Sequence, residues 1–139
     1  MIAPIFLDTS GLYEAGDRRA PRHDVVRAQL MALSAHPGGL VTTEAVITET
    51  HAMVLRRVGP DAALAMVERL TASPRIEIVP VDAPLRQAAV HILRSRPGRP
   101  YSLADAISFQ VMRARAMTHA FTLDRDFAAE GFTLLPAIP

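Results

Sequence analysis

IAPIFLD, residues 2–8, is the stretch that decides the fold. A short, unbroken apolar run is the pattern of a strand buried on both faces of a sheet. This one ends directly in an acid, Asp8. The residues that follow, Asp-Thr-Ser and Gly11, carry turn chemistry, so Asp8 taken alone is equally an N-cap. The pattern returns at residues 119–124, HAFTLD, where Asp124 is either a strand-end acid or the cap of RDFAAE. Two buried strands that both end in Asp are harder to assign to capping than one.

Between them, short apolar runs alternate with amphipathic stretches. Helices are expected over 22–35, 44–58, from Asp61 to about Thr71, over 82–95 with Asp82 as N-cap, and over the tail of YSLADAISFQVM (101–112) continuing into RARAM. Strands are expected over 40–43, 75–81, 119–123 and 132–136, with a short helical turn around DFAAE. Strands separated by helices predict an α/β fold with a short, mostly parallel sheet of four or five strands. In such sheets, sites form beyond the carboxyl ends of the strands, where the strand order reverses. Asp8 and Asp124 stand at two such ends.

Composition narrows the chemistry. The chain has 139 residues, half of them hydrophobic, which fits one domain with a real core. No apolar run approaches eighteen residues, so no transmembrane helix is expected. The first ten residues lack the basic n-region of a signal peptide, and cysteine is absent, which fits a cytoplasmic protein. All 15 basic residues are Arg. Without lysine, a P-loop and a Schiff-base mechanism are excluded. So are a haloacid-dehalogenase-like phosphohydrolase, which would also want Asp-x-Asp where Asp8 is followed by Thr9 and Ser10, and a response-regulator receiver.

Two further acids stand out. Asp105 begins a helix whose apolar residues lie almost all the way round, and it shares a face with Phe109, Met112 and Ala116. Ser102-x-x-Asp105 resembles a capping box, which accounts for an acid there but not for the apolar face running on from it. Glu49 lies at the edge of the apolar stripe of its helix, where the bland assignment is a rim salt bridge to Arg56 or Arg57. Asp126 is either a further ligand or, the simpler assignment, a first-turn acid favoured by the helix dipole. Several carboxylates gathered in one cleft repel and are driven to protonate, and a hard divalent cation with oxygen ligands removes that conflict.

At this point the chain resembles the PIN-domain ribonucleases, and most closely the VapC toxins of VapBC type II toxin–antitoxin pairs. The matching residues are FLDTSGLY near the start, VITETHAMVLRRVG in the middle, YSLADAISFQVMRARAMTHAFTLDRDF late and GFTLLP at the end. The resemblance implies a single PIN domain over 1–139, with a three-layer α/β/α fold. It implies a metal-dependent endoribonuclease that hydrolyses RNA phosphodiester bonds and leaves 5′-phosphates. Its catalytic and metal-binding acids fall on Asp8, Glu49, Asp105 and Asp124, and its ion is Mg2+ or Mn2+. Ser10, Thr122 and Asp126 are the expected supporting residues around those acids, Asp126 standing where many relatives carry His. The implied partners are RNA, a small VapB-like antitoxin and a second copy in a homodimer, met around Arg18–Arg22 and the helices of 44–71.

Setting the four site acids aside leaves 10 acids against 15 Arg, so the surface beyond the cleft is basic. Arg18, Arg19, Arg22, Arg96 and Arg99 are the candidate phosphate contacts. Two other functions are compatible with the residues: a PIN nuclease of RNA maturation that is not a toxin, and an inactive RNA-binding or antitoxin-bound module. The intact set of four acids disfavours the second.

Overall fold

The computed structural model describes residues 2–137. In chain order the elements are β1 (Ile5–Leu7), α1 (Thr9–Gly16), α2 (His23–Leu33), β2 (Leu40–Thr43), α3 (Glu44–Arg57) and α4 (Pro60–Ala72). There follow β3 (Ile76–Val79), α5 (Ala83–Ser95), α6 (Leu103–Ala114), β4 (His119–Phe121), α7 (Arg125–Ala129) and β5 (Thr133–Leu135). The five strands form one parallel sheet in the order β3-β2-β1-β4-β5.

β1 is the central strand because all of its residues are apolar and it can be covered on every side. Ile5, Phe6 and Leu7 are all buried, and Phe6 opposes both Val41 of β2 and Ala120 of β4. The chain runs β1-β2-β3 in one direction and then returns to β4 and β5 on the other flank of β1. Right-handed crossovers then place α1–α4 on one face and α5–α7 on the other, giving three layers. Helix contacts follow that division: α1 meets α2 and α3, α3 meets α4, and α5 meets α6. α3 also reaches α6, near the end of the sheet where the acids lie.

Local chemistry sets the helix starts. Thr43 accepts from the Val46 N–H at 3.1 Å to open α3, and Asp82 accepts from Leu85 N–H at 2.9 Å to open α5. Ser102 and Asp105 form both halves of a capping box at 3.0 Å each. The face of α6 that follows is buried among aromatic rings. Phe109 meets Phe127 edge-on at 4.9 Å and Tyr101 at 5.2 Å between centroids, and both Phe109 and Met112 are fully buried.

Three local expectations change. Residues 9–16 form a full helix, α1, rather than a turn. Gly11 is required there for close approach, since a Cβ would lie 2.7 Å from the Phe121 ring and 2.8 Å from the Phe121 carbonyl oxygen. α6 stops at Ala114, and Ala116 adopts a left-handed φ of 54° beyond it. Met117 N–H then closes back onto the Met112 carbonyl at 2.8 Å. Ala116 is exposed and takes no part in the face that Asp105 begins. Strands are also shorter than their apolar runs; β4 ends at Phe121, the Thr122 N–H still donates to the Leu135 carbonyl of β5 at 3.0 Å, and Leu123 leads on to Asp124.

Candidate metal centre

Strand order reverses between β1 and β4, and Asp8 and Asp124 follow those two strands. Asp8 stands at the N-cap position of α1, but its side chain does not cap the helix. Its Oδ2 instead accepts from Thr122 Oγ1 at 2.7 Å and from Ser10 Oγ at 3.1 Å. Thr122 Oγ1 also accepts the Asp124 N–H at 3.0 Å, and Ser10 Oγ accepts the Leu123 N–H at 2.8 Å. Two hydroxyls therefore fasten the end of β1 to the end of β4.

Asp124 does cap its helix, accepting the Asp126 N–H on Oδ1 at 2.9 Å. Asp105 does complete a capping box, through Oδ2. Capping and ligation are compatible, because a carboxylate has two oxygens and several lone pairs. Carboxylate oxygens of Asp105, Asp124 and Asp126 all lie within 4.8 Å of one another, a spacing that one ion can span. Asp126 thus stands beside Asp105 and Asp124 rather than behind them. Asp8 lies outside this trio.

Electrostatics tie the remaining acids to the trio. Burial pushes the Asp8 carboxyl up to about 6, and the charge of Asp105 adds to the rise against the hydrogen bonds from Thr122, Thr9 and Ser10. Asp105 is also raised, first by burial and then by the charges of Asp124 and Glu49, against its bonds to Ser102. Asp126 is raised by burial and by Asp124, while Arg99 opposes the rise. Glu49 is half-buried on α3 and makes no salt bridge to Arg56, Arg57 or any other described residue. Carboxylates whose charges raise the pKa of Asp8, Asp105 and Asp126 offer oxygen ligands that suit a hard divalent cation.

The PIN domain family matches residues 5–132. The chain belongs to the PIN-domain family. It is 36% identical over 129 residues to the 23S rRNA-specific endonuclease VapC20 of Mycobacterium tuberculosis, covering 92% of this chain and 95% of that protein. The crystal structure of M. tuberculosis VapC20, described as a Sarcin-Ricin loop cleaving toxin, matches with a TM-score of 0.85 and 32% identity, over 93% of this chain and 96% of that one. VapBC2 from Rickettsia felis, bound to a DNA fragment from its promoter, matches with a TM-score of 0.68 at 15% identity, over 94% and 96% of the two chains. That last likeness is one of fold alone.

In this PIN domain the five candidate arginines have different surroundings. Arg19 pairs with the buried Asp17 at 3.5 Å and donates to the Arg57 carbonyl, so it ties the segment after α1 to the end of α3. Arg96 pairs with Glu130 at 3.1 Å. The structure therefore gives Arg19 and Arg96 partners within the fold. Arg18, Arg22 and Arg99 are exposed.

Glu130 was not evident from the sequence. Its side chain is 5% exposed and receives Arg96, Arg113 and Tyr101. Nothing local marks it: an acid before Gly131 looks like a solvated helix end, and its partners lie 17 to 34 residues away.

Proposed function

We propose that this PIN domain is a metal-dependent endoribonuclease that hydrolyses RNA phosphodiester bonds as the toxin of a VapBC-type pair. The observation that carries this is the convergence of carboxylates from the ends of β1 and β4 and the first turn of α6 at the switch point of a parallel sheet. The likeness to VapC20 over nearly the whole chain supports the choice of RNA, and 23S rRNA is the first RNA to test.

Asp105, Asp124 and Asp126 would hold Mg2+ or Mn2+ with Asp8, and Glu49 would do so directly or through water. The chemistry a bound ion supplies is neutralisation of the acids and the phosphate and a lowered pKa for an attacking water. Glu49 or Asp105 would take the proton of the attacking water. Thr122 and Ser10 hold Asp8 in one rotamer, and Thr122 fixes Asp124 through its backbone.

For partners, we assign a VapB-like antitoxin to the groove between α1, α2 and α4 and a second copy to the α3–α4 tip. The groove, of about 300 Å³, is floored by Leu12, Leu30, Met66 and Leu70 and edged by Arg27 and Arg69. Leu55 and Val58 near the end of α3 and Leu64 in α4 are 44%, 43% and 56% exposed, and they are the apolar side chains offered to that copy. Among the described residues no helix is long and apolar enough to cross a membrane.

Induction of the chain alone in a bacterium tests the reading. Growth should stop, and Asp8→Asn or Asp105→Asn should relieve the arrest. Equal toxicity from those variants would reject the catalytic assignment.

A further inference from the structure

We infer that Glu130 is a positioning residue: it clamps the loop between α5 and α6 so that Arg99 stands beside the acid cluster as a contact for the substrate's phosphate backbone. This rests on the ribonuclease reading above and adds to it the residue that meets RNA and the residue that holds it there.

Glu130 closes α7, the helix that begins at Asp124. Its carboxylate receives Arg96 through Nε at 3.1 Å and Nη2 at 3.2 Å, Arg113 at 2.9 Å and the Tyr101 hydroxyl at 2.9 Å. Burial alone would raise its pKa, yet the two guanidiniums and the phenol hold it below the usual glutamate range. Such a buried, multiply paired carboxylate is a poor device for stability, since well-packed apolar residues do as well or better. Its geometry accounts for it differently. Arg96 is the first residue of the α5–α6 loop and Tyr101 the one before its last, so a single carboxylate fixes the loop near both ends.

Between those ends the chain turns tightly. Gly98 has φ +82° and the Arg99 N–H donates to the Arg96 carbonyl at 3.1 Å. The turn leaves Arg99 exposed, with no hydrogen bond from its guanidinium and no ion pair among the described residues. Arg99 lies three residues before Ser102, whose N–H is bonded to Asp105, so the turn holds its side chain within reach of the acids. At the other end of the loop, Ser102 follows the clamped Tyr101 and donates its N–H to Asp105. The clamped loop therefore carries an uncommitted guanidinium three residues from the backbone donor of a site acid. A planar guanidinium fits phosphate oxygens, and a contact of that kind positions a nucleic acid without reading its sequence.

The test measures kcat and KM on a labelled oligoribonucleotide in Mn2+, and binding of the same oligonucleotide by anisotropy in EDTA over a salt series. Arg99→Ala should raise KM about tenfold with kcat within about twofold, and should reduce the salt slope of binding by about one. Arg99→Lys should recover part of the loss. Glu130→Gln should reproduce the KM increase and add nothing to it in the Arg99→Ala background. Where Glu130→Gln does not fold, Tyr101→Phe keeps both ion pairs, and should raise KM two- to threefold only when Arg99 is present. Unchanged KM and salt slope in Arg99→Ala would overturn the inference. So would fully additive effects of the two sites, or a lower Tm with unchanged KM in Glu130→Gln or Tyr101→Phe. If the wild type cleaves no RNA, the ribonuclease reading fails, and the binding series in EDTA still decides the role of Arg99 and Glu130.

Discussion

Asp8→Asn should make the metal-free protein more stable at neutral pH while removing its activity. Asp8 is 4% exposed, and the folded state raises its pKa from 3.8 to about 6. Below about pH 4 the carboxyl is protonated in both folded and unfolded chains and costs nothing. As pH rises from 3.8 toward 6 the unfolded chain releases its proton first, so stability is lost across that window. Above it, a shift from 3.8 to about 6 corresponds to about 3 kcal/mol of destabilisation. For a chain of 139 residues that is a Tm difference of roughly 10 °C. Asn keeps an oxygen to accept from Thr122 and Ser10, but its amide group replaces the second carboxylate oxygen, so roughly half of that gain is expected. Thermal denaturation in EDTA between pH 4.5 and 7.5 is the assay. The variant should gain on the wild type as pH rises, and the wild type should recover stability when Mn2+ is added at pH 7.5. A gap that does not change with pH, or a variant less stable at pH 7.5, would refute the claim that Asp8 is an electrostatically costly acid.

Other perturbations separate the scaffold from the chemistry. Glu49→Gln should lower cleavage by about a hundredfold or more and change stability by less than about 0.5 kcal/mol, since Glu49 has no ion pair to lose among the described residues; parallel cleavage and denaturation assays check this. Thr122→Val leaves Asp8 without its shortest donor and the Asp124 N–H without its acceptor, and should cost about 1–3 kcal/mol of stability by denaturant titration together with about tenfold in rate. Gly11→Ala drives a methyl group onto Phe121 and should destabilise by about 1–3 kcal/mol, read as a lower Tm.

Much of this molecule was legible because its signals are local. Unbroken apolar runs located β1 and β4, and the acids at their ends located the switch point. Ser102 and Asp105, three residues apart, announced a capping box that the structure contains. What escaped depends on contacts distant in sequence. Residues 9–16 carry turn chemistry, and α1 forms because Gly11 lets a helix lie against Phe121, 110 residues on in the sequence. The sequence left Asp126 open between a ligand and a first-turn acid, because its nearness to Asp105 depends on how α6 packs. Glu130 and Arg96 are 34 residues apart, so neither residue's neighbours disclose the ion pair.

Hydrolysis of RNA by these acids with a divalent ion is decided by cleavage of RNA by the purified protein in Mg2+ or Mn2+, in EDTA, and with Asp105→Asn in Mn2+. Cleavage with 5′-phosphate ends is expected in the metal, none in EDTA, and none from Asp105→Asn, which should still fold. Cleavage that persists in EDTA, or that survives Asp105→Asn, would contradict it.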